Sequence, residues 1–236
     1  MTYSGLSPGT TQFDVEVNLR NVKTPFKCLS RADLLLKESN ITHLESAGCQ
    51  SVWMGAESGS QKILDAMDKG TRVDEIYVSS RLLKMHGIKT CFFLQFGYSG
   101  ETKADIDKTI QMVRDLIPDD IGISVSYPLP GTKFYDRVAS QMSSKHNWVV
   151  SDDFEMMFDG EYSTEFYRVL HTLVHKEYRS RQILQAPLKN IKNFWKLPVY
   201  LYGWWQSRLK LNKLEKSEKK RPNINVVIPA EAGIQS

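Results

Sequence analysis

Residues 51–70 (SVWMGAESGSQKILDAMDKG) join a short apolar segment to a helical one through a glycine-containing turn. The apolar residues at 52–54 predict a strand, and those within 63–67 recur at helical spacing. Glu57 and Ser58 lie in the turn, between two glycines. Ligands of parallel α/β proteins bind at the carboxyl ends of the strands, so this turn is a candidate binding site.

The same order of strand, turn and helix recurs on both sides of this stretch. Further strands are predicted at 25–29, 90–96 and 121–127. Helices should follow them, starting at the capping pairs Ser30 with Asp33, Thr71 with Asp74, and Thr102 with Asp105. This alternation predicts an α/β fold with a parallel sheet and right-handed crossovers, and leaves open whether the sheet forms part of a barrel or stays open.

The two ends of the chain depart from this alternation. Apolar and polar residues alternate over 13–19, which predicts a half-buried strand. An amphipathic helix is expected at 164–184. We therefore divide the chain into a partial (β/α) barrel (12–142), a helical extension (143–211) and a charged tail that we expect to be disordered (212–236).

Composition limits the class of protein. Of 236 residues, 41% are hydrophobic and 25% are charged, which is typical of a globular protein. The net charge of +4 is concentrated near the C-terminus, where residues 190–221 contain nine Lys/Arg against two Glu. We therefore expect no nucleic-acid partner. The absence of a signal peptide and of a long apolar stretch favours a cytoplasmic location.

The three cysteines are Cys28, Cys49 and Cys91, an odd number at wide spacing. This argues against a disulfide scaffold and favours a reducing compartment. We expect Cys49 and Cys91 to be buried small hydrophobes, whereas Cys28, at a strand end, could face a cavity. His171 and His175 have the i, i+4 spacing of metal ligands but no evident third ligand, so we interpret them as part of a packing face and expect no metal site.

Four motifs follow one another, each at a strand end: CLSRAD (28–33), GAESGS (55–60), GYSGET (97–102) and YPLPGT (127–132). Together they resemble the later half of the radical S-adenosylmethionine (SAM) core domain. The likeness is greatest to the branch with a preceding cobalamin-binding domain, which includes proteins like the anaerobic magnesium-protoporphyrin monomethyl ester cyclase, and it covers about 25–184.

The resemblance implies a partial (β/α)6 barrel that binds SAM and a [4Fe–4S] cluster and generates a 5′-deoxyadenosyl radical. The family holds the cluster through a CxxxCxxC loop. By position, the residues implied to line the SAM cavity are Arg31, Glu57, Ser58, Gly97, Glu101, Tyr127 and Gly131. Residue by residue, Glu57 and Glu101 could instead stabilise the starts of the helices that follow them. Arg31 in a first helical turn is unfavourable for the helix dipole, which slightly favours a role in the site.

This sequence contains no CxxxCxxC motif, and the first two strands of the family barrel have no counterpart. Residues 226–235 resemble a peptide found where bacterial reading frames run into a dispersed repeat. We therefore expect a fragment truncated at its N-terminus, without radical SAM turnover on its own and with no catalytic residue that can be named. A missing N-terminal half or a cobalamin-binding domain would be its partner.

The alternative is a non-enzymatic half-barrel that binds a partner or a membrane surface through its basic aromatic segment (194–211). We also expect that this segment could cover an edge of the barrel, because an open sheet edge needs cover. A third reading is a chain that never folds stably, since a half-barrel exposes apolar surface.

Overall fold

The structure is a computed structural model that describes residues 6–20, 24–142, 154, 156–188 and 190–218. Its strands are β1 (Phe26–Ser30), β2 (Cys49–Glu57), β3 (Lys89–Phe96) and β4 (Asp120–Val125). Its helices are α1 (Leu6–Leu19), α2 (Glu38–Ser46), α3 (Gln61–Ala66), α4 (Val73–Met85), α5 (Lys103–Leu116), α6 (Lys133–Val138), α7 (Thr164–Gln185) and α8 (Leu197–Glu218). Short 3-10 helices occupy Asp33–Leu36, Ala139–Gln141 and Ile191–Lys196.

The four strands form one parallel sheet in the order β1-β2-β3-β4. Each strand is followed along the chain by at least one helix before the neighbouring strand begins. This is the architecture expected from right-handed βαβ units, and it confirms the predicted α/β class and parallel sheet. All four carboxyl ends consequently lie at one edge of the sheet, which we call the carboxyl edge.

One face of the sheet is covered by helices. Side chains that alternate along β2 and β3, among them Val52, Met54, Phe92 and Leu94, are almost completely buried in the core. Buried apolar residues of α2, α4, α5 and α7 pack on this face. Burial of this surface supplies most of the driving force for folding.

The opposite face, which we call the open face, carries the alternate side chains. Leu29 is 72% exposed and Phe93 is 42% exposed. The rings of Trp53 and Phe93 stack at 4.7 Å, and a Cβ added to Gly122 would lie 3.2 Å from the Phe93 ring. A parallel sheet is normally covered on both faces, so four strands with one open face correspond to a partial barrel opened along its interior.

The predicted capping pair Thr102 with Asp105 is confirmed at the start of α5. Thr102 is the N-cap, and the Asp105 carboxylate accepts hydrogen bonds from the Thr102 backbone N–H at 3.1 Å and from the Thr102 hydroxyl at 2.7 Å. The other two predicted capping pairs are wrong. The Ser30 hydroxyl donates to the Arg31 carbonyl instead of capping a helix. Helix α4 begins after Arg72, whose N–H donates to the Glu75 carboxylate at 2.8 Å.

The strand predicted over 13–19 is wrong, because these residues belong to α1. Helix α1 packs on α2, where the Asp14 carboxylate lies 2.9 Å from His43 Nδ1. The Phe13 ring contacts Phe26 edge to face at 5.4 Å. Short alternating apolar runs fit either secondary structure, and here the contacts with α2 and β1 favour the helix.

The amphipathic helix expected at 164–184 is present as α7, which contacts α5 and α8. The Glu177 carboxylate on α7 accepts from Arg114 on α5 and, at 3.0 Å, from the indole N–H of Trp204 on α8. Helix α8 continues to Glu218, so residues 212–218 of the predicted disordered tail are helical. Residues 219–236 lie outside the described residues, and the division into three domains stays a prediction.

Among the described helices, none combines the length and the apolar composition that crossing a membrane requires.

Candidate functional site

Glu57 lies at the carboxyl end of β2 with a positive φ of 53°. A non-glycine residue rarely adopts this conformation, so the surrounding turn must hold it in place. Its carboxylate Oε1 lies 3.0 Å from the Nζ of Lys69, and the side chain is partly exposed. The pairing of β2 with β3 is irregular between Gly55 and Glu57, so alternation alone does not place this side chain. A Cβ added to Gly55, which lies on the open face, would be 3.1 Å from Glu57 Oε1, so this carboxylate borders the open face.

Arg31 follows β1 at the same edge. Its guanidinium donates to the Asp33 carboxylate at 2.9 and 3.2 Å, and this contact raises its pKa. A Cβ added to Gly70 would lie 3.8 Å from Arg31 Nη2. Residues 67–70 therefore bring Arg31 and Glu57 to one loop, and both side chains remain accessible.

Ser58 is fully buried and its hydroxyl is engaged inside the fold. The Oγ lies 3.1 Å from Thr109 Oγ1 on α5 and accepts from the Ser60 N–H at 3.1 Å. Gly59 between them would place a Cβ 2.4 Å from the Lys108 carbonyl oxygen. This turn is thus fastened directly to the backbone of α5, which fixes the position of Glu57.

Glu101 is also fully buried. Its Oε2 accepts from the Gly97 N–H at 2.6 Å, and its Oε1 has no hydrogen-bond partner among the described residues. Burial raises the pKa of this carboxyl to about 8. Gly97 has a φ of +78°, and a Cβ there would come within 3.1 Å of Met156 and Tyr167. Both residues therefore shape the turn after β3 from inside the protein.

Tyr127 and Gly131 lie in the segment between β4 and α6. Tyr127 is half-buried, and Gly131 has a φ of +81° just before Thr132, the N-cap of α6. Helix α6 returns to the carboxyl edge, where Arg137 donates to the Tyr98 hydroxyl at 2.8 Å. That hydroxyl donates in turn to the Ala66 carbonyl at 2.7 Å. The loops after β2, β3 and β4 thus meet around the end of α3.

The sequence reasoning missed the side chains of the open face. Trp53, Phe93 and Gln95 lie there on adjacent strands, next to Glu57 at the edge. The alternation of side chains with a period of two within residues 51–57 and 90–96 could have identified the residues that share one face of the sheet. This alternation predicts strands, but the sequence alone does not show which face of the sheet the helices cover.

The cysteines do not fit a [4Fe–4S] cluster. The Sγ atoms of Cys28 and Cys49 lie 3.8 Å apart on the helix-covered face, whereas Cys91 lies on the other face beside Asp120. Within the part of the chain that the structure describes, no three Cys, His, Asp or Glu side chains are grouped to hold a metal. A cluster needs several converging thiolates, so these residues alone do not supply its ligands.

His171 and His175 lie next to each other on α7. Their rings lie 4.3 Å apart, and the His171 ring lies 4.5 Å from Phe154. Burial lowers the pKa of His175 to about 4 and also lowers that of His171. Burial of the two rings therefore favours their neutral forms, and the interpretation as packing residues stays a prediction.

The residues do fit SAM. This molecule presents ribose hydroxyls, a sulfonium cation, an adenine ring and an amino-acid group. The carboxyl edge offers the accessible carboxylate of Glu57 and the cations of Arg31 and Lys69, beside the aromatic surface of the open face. Carboxylates accept from hydroxyls, and aromatic faces bind flat rings and cations.

Comparison with known proteins gives sequence relatives and a fold match, while no family model matches the chain. A candidate methylthiotransferase of Methanocaldococcus jannaschii is 33% identical over 131 residues, which are 53% of this chain and 28% of that protein. The anaerobic magnesium-protoporphyrin IX monomethyl ester cyclase of Rubrivivax gelatinosus is 27% identical over 121 residues, 50% of this chain and 22% of the cyclase. The matches thus span only about a quarter of these curated relatives.

The radical SAM methyltransferase TsrM of Kitasatospora setae, solved with cobalamin and a [4Fe–4S] cluster, matches 58% of this chain and 29% of its own. The TM-score is 0.50 at 18% identity, a likeness of fold. Together with the sequence relatives, this fold match confirms the resemblance of the α/β part to radical SAM proteins that its motifs indicated.

Proposed function

We propose that this chain supplies the SAM-facing wall of a radical SAM catalytic unit and that the cluster-binding cysteines come from outside it. One observation carries the proposal: an accessible carboxylate, Glu57, is held at the carboxyl edge beside an uncovered aromatic sheet face. A half-barrel with this face open is the shape that remains when the rest of a barrel is not present.

Each part of the edge would have its own task. Glu57 would accept hydrogen bonds from the ribose hydroxyls of SAM, and Arg31 would pair with its carboxylate. Trp53 and Phe93 would form the floor of the cavity and exclude water. Bound SAM supplies the 5′-deoxyadenosyl or methyl group for the family's chemistry.

Ser58 and Glu101 would act from behind this wall. The Ser58 hydroxyl fastens the turn after β2 to α5, and the Glu101 carboxyl holds the Gly97 N–H of the next turn. Both therefore position backbone at the edge rather than touch the ligand. This assigns them a structural role within the proposed site.

Because this chain does not supply the cysteine ligands of the cluster, we expect no radical SAM turnover by the chain alone. Three cysteines divided between two faces of a sheet cannot converge on one iron–sulfur cluster. We therefore infer that the chain is a truncated form of a radical SAM enzyme and that it requires a partner, such as an N-terminal half, for turnover. A cobalamin-binding domain is the alternative partner under the same proposal.

Anaerobic reconstitution with iron and sulfide, followed by an assay for 5′-deoxyadenosine, tests the need for a partner. The proposal predicts that the chain alone binds SAM saturably in equilibrium dialysis and yields no 5′-deoxyadenosine. Formation of that product by the chain alone would contradict the proposed source of the cluster.

A second candidate function, an interaction module, rests on the surface of α8. Apolar side chains follow one another at helical spacing, and each is at least 45% exposed: Trp195 in the preceding 3-10 helix, then Val199, Tyr202, Trp205 and Leu209 in α8. Among the described residues, α8 packs mainly on α7 and not on a strand edge, and they leave this stripe uncovered. Aromatic residues with nearby lysines are typical of helices that lie on anionic membranes.

Co-sedimentation with phosphatidylserine vesicles tests this second function. Binding that is lost in a variant with Trp195, Tyr202 and Trp205 all changed to Ser would support it. No binding by the wild-type chain would leave the SAM wall as the single proposal.

A further inference from the structure

Two of the three cysteines form a close pair that their spacing in the sequence does not reveal. Cys28 and Cys49 are 21 residues apart, yet their Sγ atoms lie 3.8 Å from each other. They belong to β1 and β2, which are hydrogen-bonded neighbours in the sheet. Both cysteines are free thiols.

An irregularity in β2 creates the pair. Phe26 pairs with Cys49 and Lys27 pairs with Ser51, so Gln50 is an extra residue in β2. A β-bulge of this kind shifts the alternation of side chains by one position. Cys49 therefore lies on the helix-covered face with Cys28, whereas without the extra residue it would share the open face with Ser51.

The surroundings of the pair favour proton sharing between the two sulfurs. The hydrogen-bonding contact with Cys28 lowers the pKa of Cys49, which burial opposes. The same contact with Cys49, together with burial, raises the pKa of Cys28. The directions of these two shifts favour Cys49 as the ionised sulfur and Cys28, which is half-buried, as its protonated neighbour.

The third cysteine is isolated from this pair. Cys91 pairs with Trp53 and Asp120 on the open face and is only 5% exposed. Burial raises its pKa to about 11. The chain therefore contains a matched internal control, a buried thiol without a sulfur partner.

From this geometry we propose that Cys28 and Cys49 are an oxidation site, a dithiol that a small peroxide converts into an intrachain disulfide between β1 and β2. A peroxide fits because Cys49 is only 8% exposed and admits only a small oxidant. The product fastens the edge strand β1, whose other side pairs with no described strand, to the interior of the sheet.

The chemistry balances in two steps. The Cys49 thiolate attacks one peroxide oxygen; an S–O bond forms, the O–O bond breaks, and hydroxide leaves. The Cys28 sulfur then loses its proton and attacks the Cys49 sulfur; the S–S bond forms, the S–O bond breaks, and the oxygen leaves as water. Two thiols are oxidised, one hydrogen peroxide is reduced, and two waters form in total.

Closing this bond requires the sulfurs to approach to about 2 Å. The segment they enclose contains α2 and the turn before β2, so the bridge restricts the unfolded chain across that segment. The oxidised protein should therefore unfold at a higher temperature than the reduced protein, and a reductant should reverse the difference.

Peptide mapping of the full chain tests the proposal. Trypsin releases the three cysteines in separate peptides, residues 28–31, 38–62 and 90–103. The reduced protein is treated with limiting hydrogen peroxide, alkylated without reduction, and digested. We expect the cross-linked pair 28–31 with 38–62 to exceed any cross-link that contains Cys91 by at least tenfold.

Two variants test the order of the steps. In Cys28→Ser the proposal predicts a sulfenic acid on Cys49 that dimedone captures, and in Cys91→Ser the Cys28–Cys49 bridge forms as in the wild type. Cross-links to Cys91 at equal yield, or all three cysteines alkylated after peroxide, would overturn the proposal. The wild-type map decides this even where Cys28→Ser fails to fold.

Discussion

The Glu101 carboxylate accepts a hydrogen bond from the Gly97 N–H at 2.6 Å and is completely shielded from solvent. Its other oxygen has no partner among the described residues, and neither does the buried Tyr167 hydroxyl. A buried carboxyl with a single hydrogen bond favours its neutral form. The turn after β3 is thus built around an acid that stays largely protonated at neutral pH.

The first prediction concerns the pH dependence that Glu101 imposes. Its pKa is raised from 4.5 to about 8, so between these values the folded state binds a proton that the unfolded state lacks. Stability should therefore fall as pH rises from about 4.5 to 8, by at most about 1.4 kcal/mol per pH unit. Glu101→Gln should remove this contribution.

Urea unfolding of both proteins at several pH values measures the effect. The free energy of unfolding of Glu101→Gln relative to wild type should be greater by a few kcal/mol at pH 8 than at pH 4.5. Glu165→Gln, at an exposed ion pair with Lys210, is the matched control. A difference between Glu101→Gln and wild type that does not change with pH would contradict this account.

The second prediction concerns Asp105 in the first turn of α5. Burial opposes its ionisation, but hydrogen bonds from Thr102 and Ser60 outweigh it and lower the pKa of this carboxyl. Asp105→Asn should cost about 1–3 kcal/mol at pH 7, since the cap and a buried contact both weaken.

The lowered pKa of Asp105 fixes the pH window. The stabilisation that ionised Asp105 provides is complete above its unfolded-state pKa of 3.8 and is lost as the pH falls below that value. The unfolding free energies of wild type and Asp105→Asn should therefore converge in acid. Asp107→Asn, at an exposed pair with Lys103, should change stability by less than about 0.5 kcal/mol. Equal effects of the two variants in chemical denaturation would refute this role.

The third prediction concerns Gly59, which lies against the backbone of α5. A Cβ there would meet the Lys108 carbonyl oxygen at 2.4 Å and Thr109 Cα at 2.8 Å, and backbone cannot move aside as a flexible side chain can. Gly59→Ala should cost about 3 kcal/mol and displace the turn that carries Glu57.

The matched control is Gly203→Ala in α8, where the nearest atoms belong to the flexible Lys176 side chain. Alanine favours helix over glycine, so this variant should gain about 0.5–1 kcal/mol. Thermal unfolding of both variants separates the effects. A Gly59→Ala protein as stable as wild type would mean that the turn and α5 are not in contact.

Much of the fold could be predicted because its signals are local. The strands β2 and β3 have apolar runs bounded by glycines, and Thr102 with Asp105 forms the expected cap. The strand prediction for residues 13–19 was wrong because their alternation of apolar and polar residues also fits a helix. Only the contacts with α2 decide between strand and helix.

The candidate site was less accessible to sequence reasoning. The position of the GAESGS motif predicts that Glu57 and Ser58 both line the SAM cavity. In the structure the Glu57 carboxylate is partly exposed, whereas the Ser58 hydroxyl is buried against α5. The Cys28–Cys49 contact depends on strand register and on the bulge at Gln50, which are properties of pairing rather than of either segment. Long-range pairing of this kind leaves no mark in a single sequence.

The central claim, that Glu57 belongs to a SAM-binding wall, is tested most directly by SAM binding to wild type and Glu57→Gln in equilibrium dialysis. A hydrogen bond to a charged group contributes about 1.5–3 kcal/mol, so the variant should bind at least about tenfold more weakly at unchanged stability. Glu38→Gln on α2, away from the carboxyl edge, should bind as wild type does. Equal affinity of wild type and Glu57→Gln, or no saturable binding by the wild type, would contradict the account.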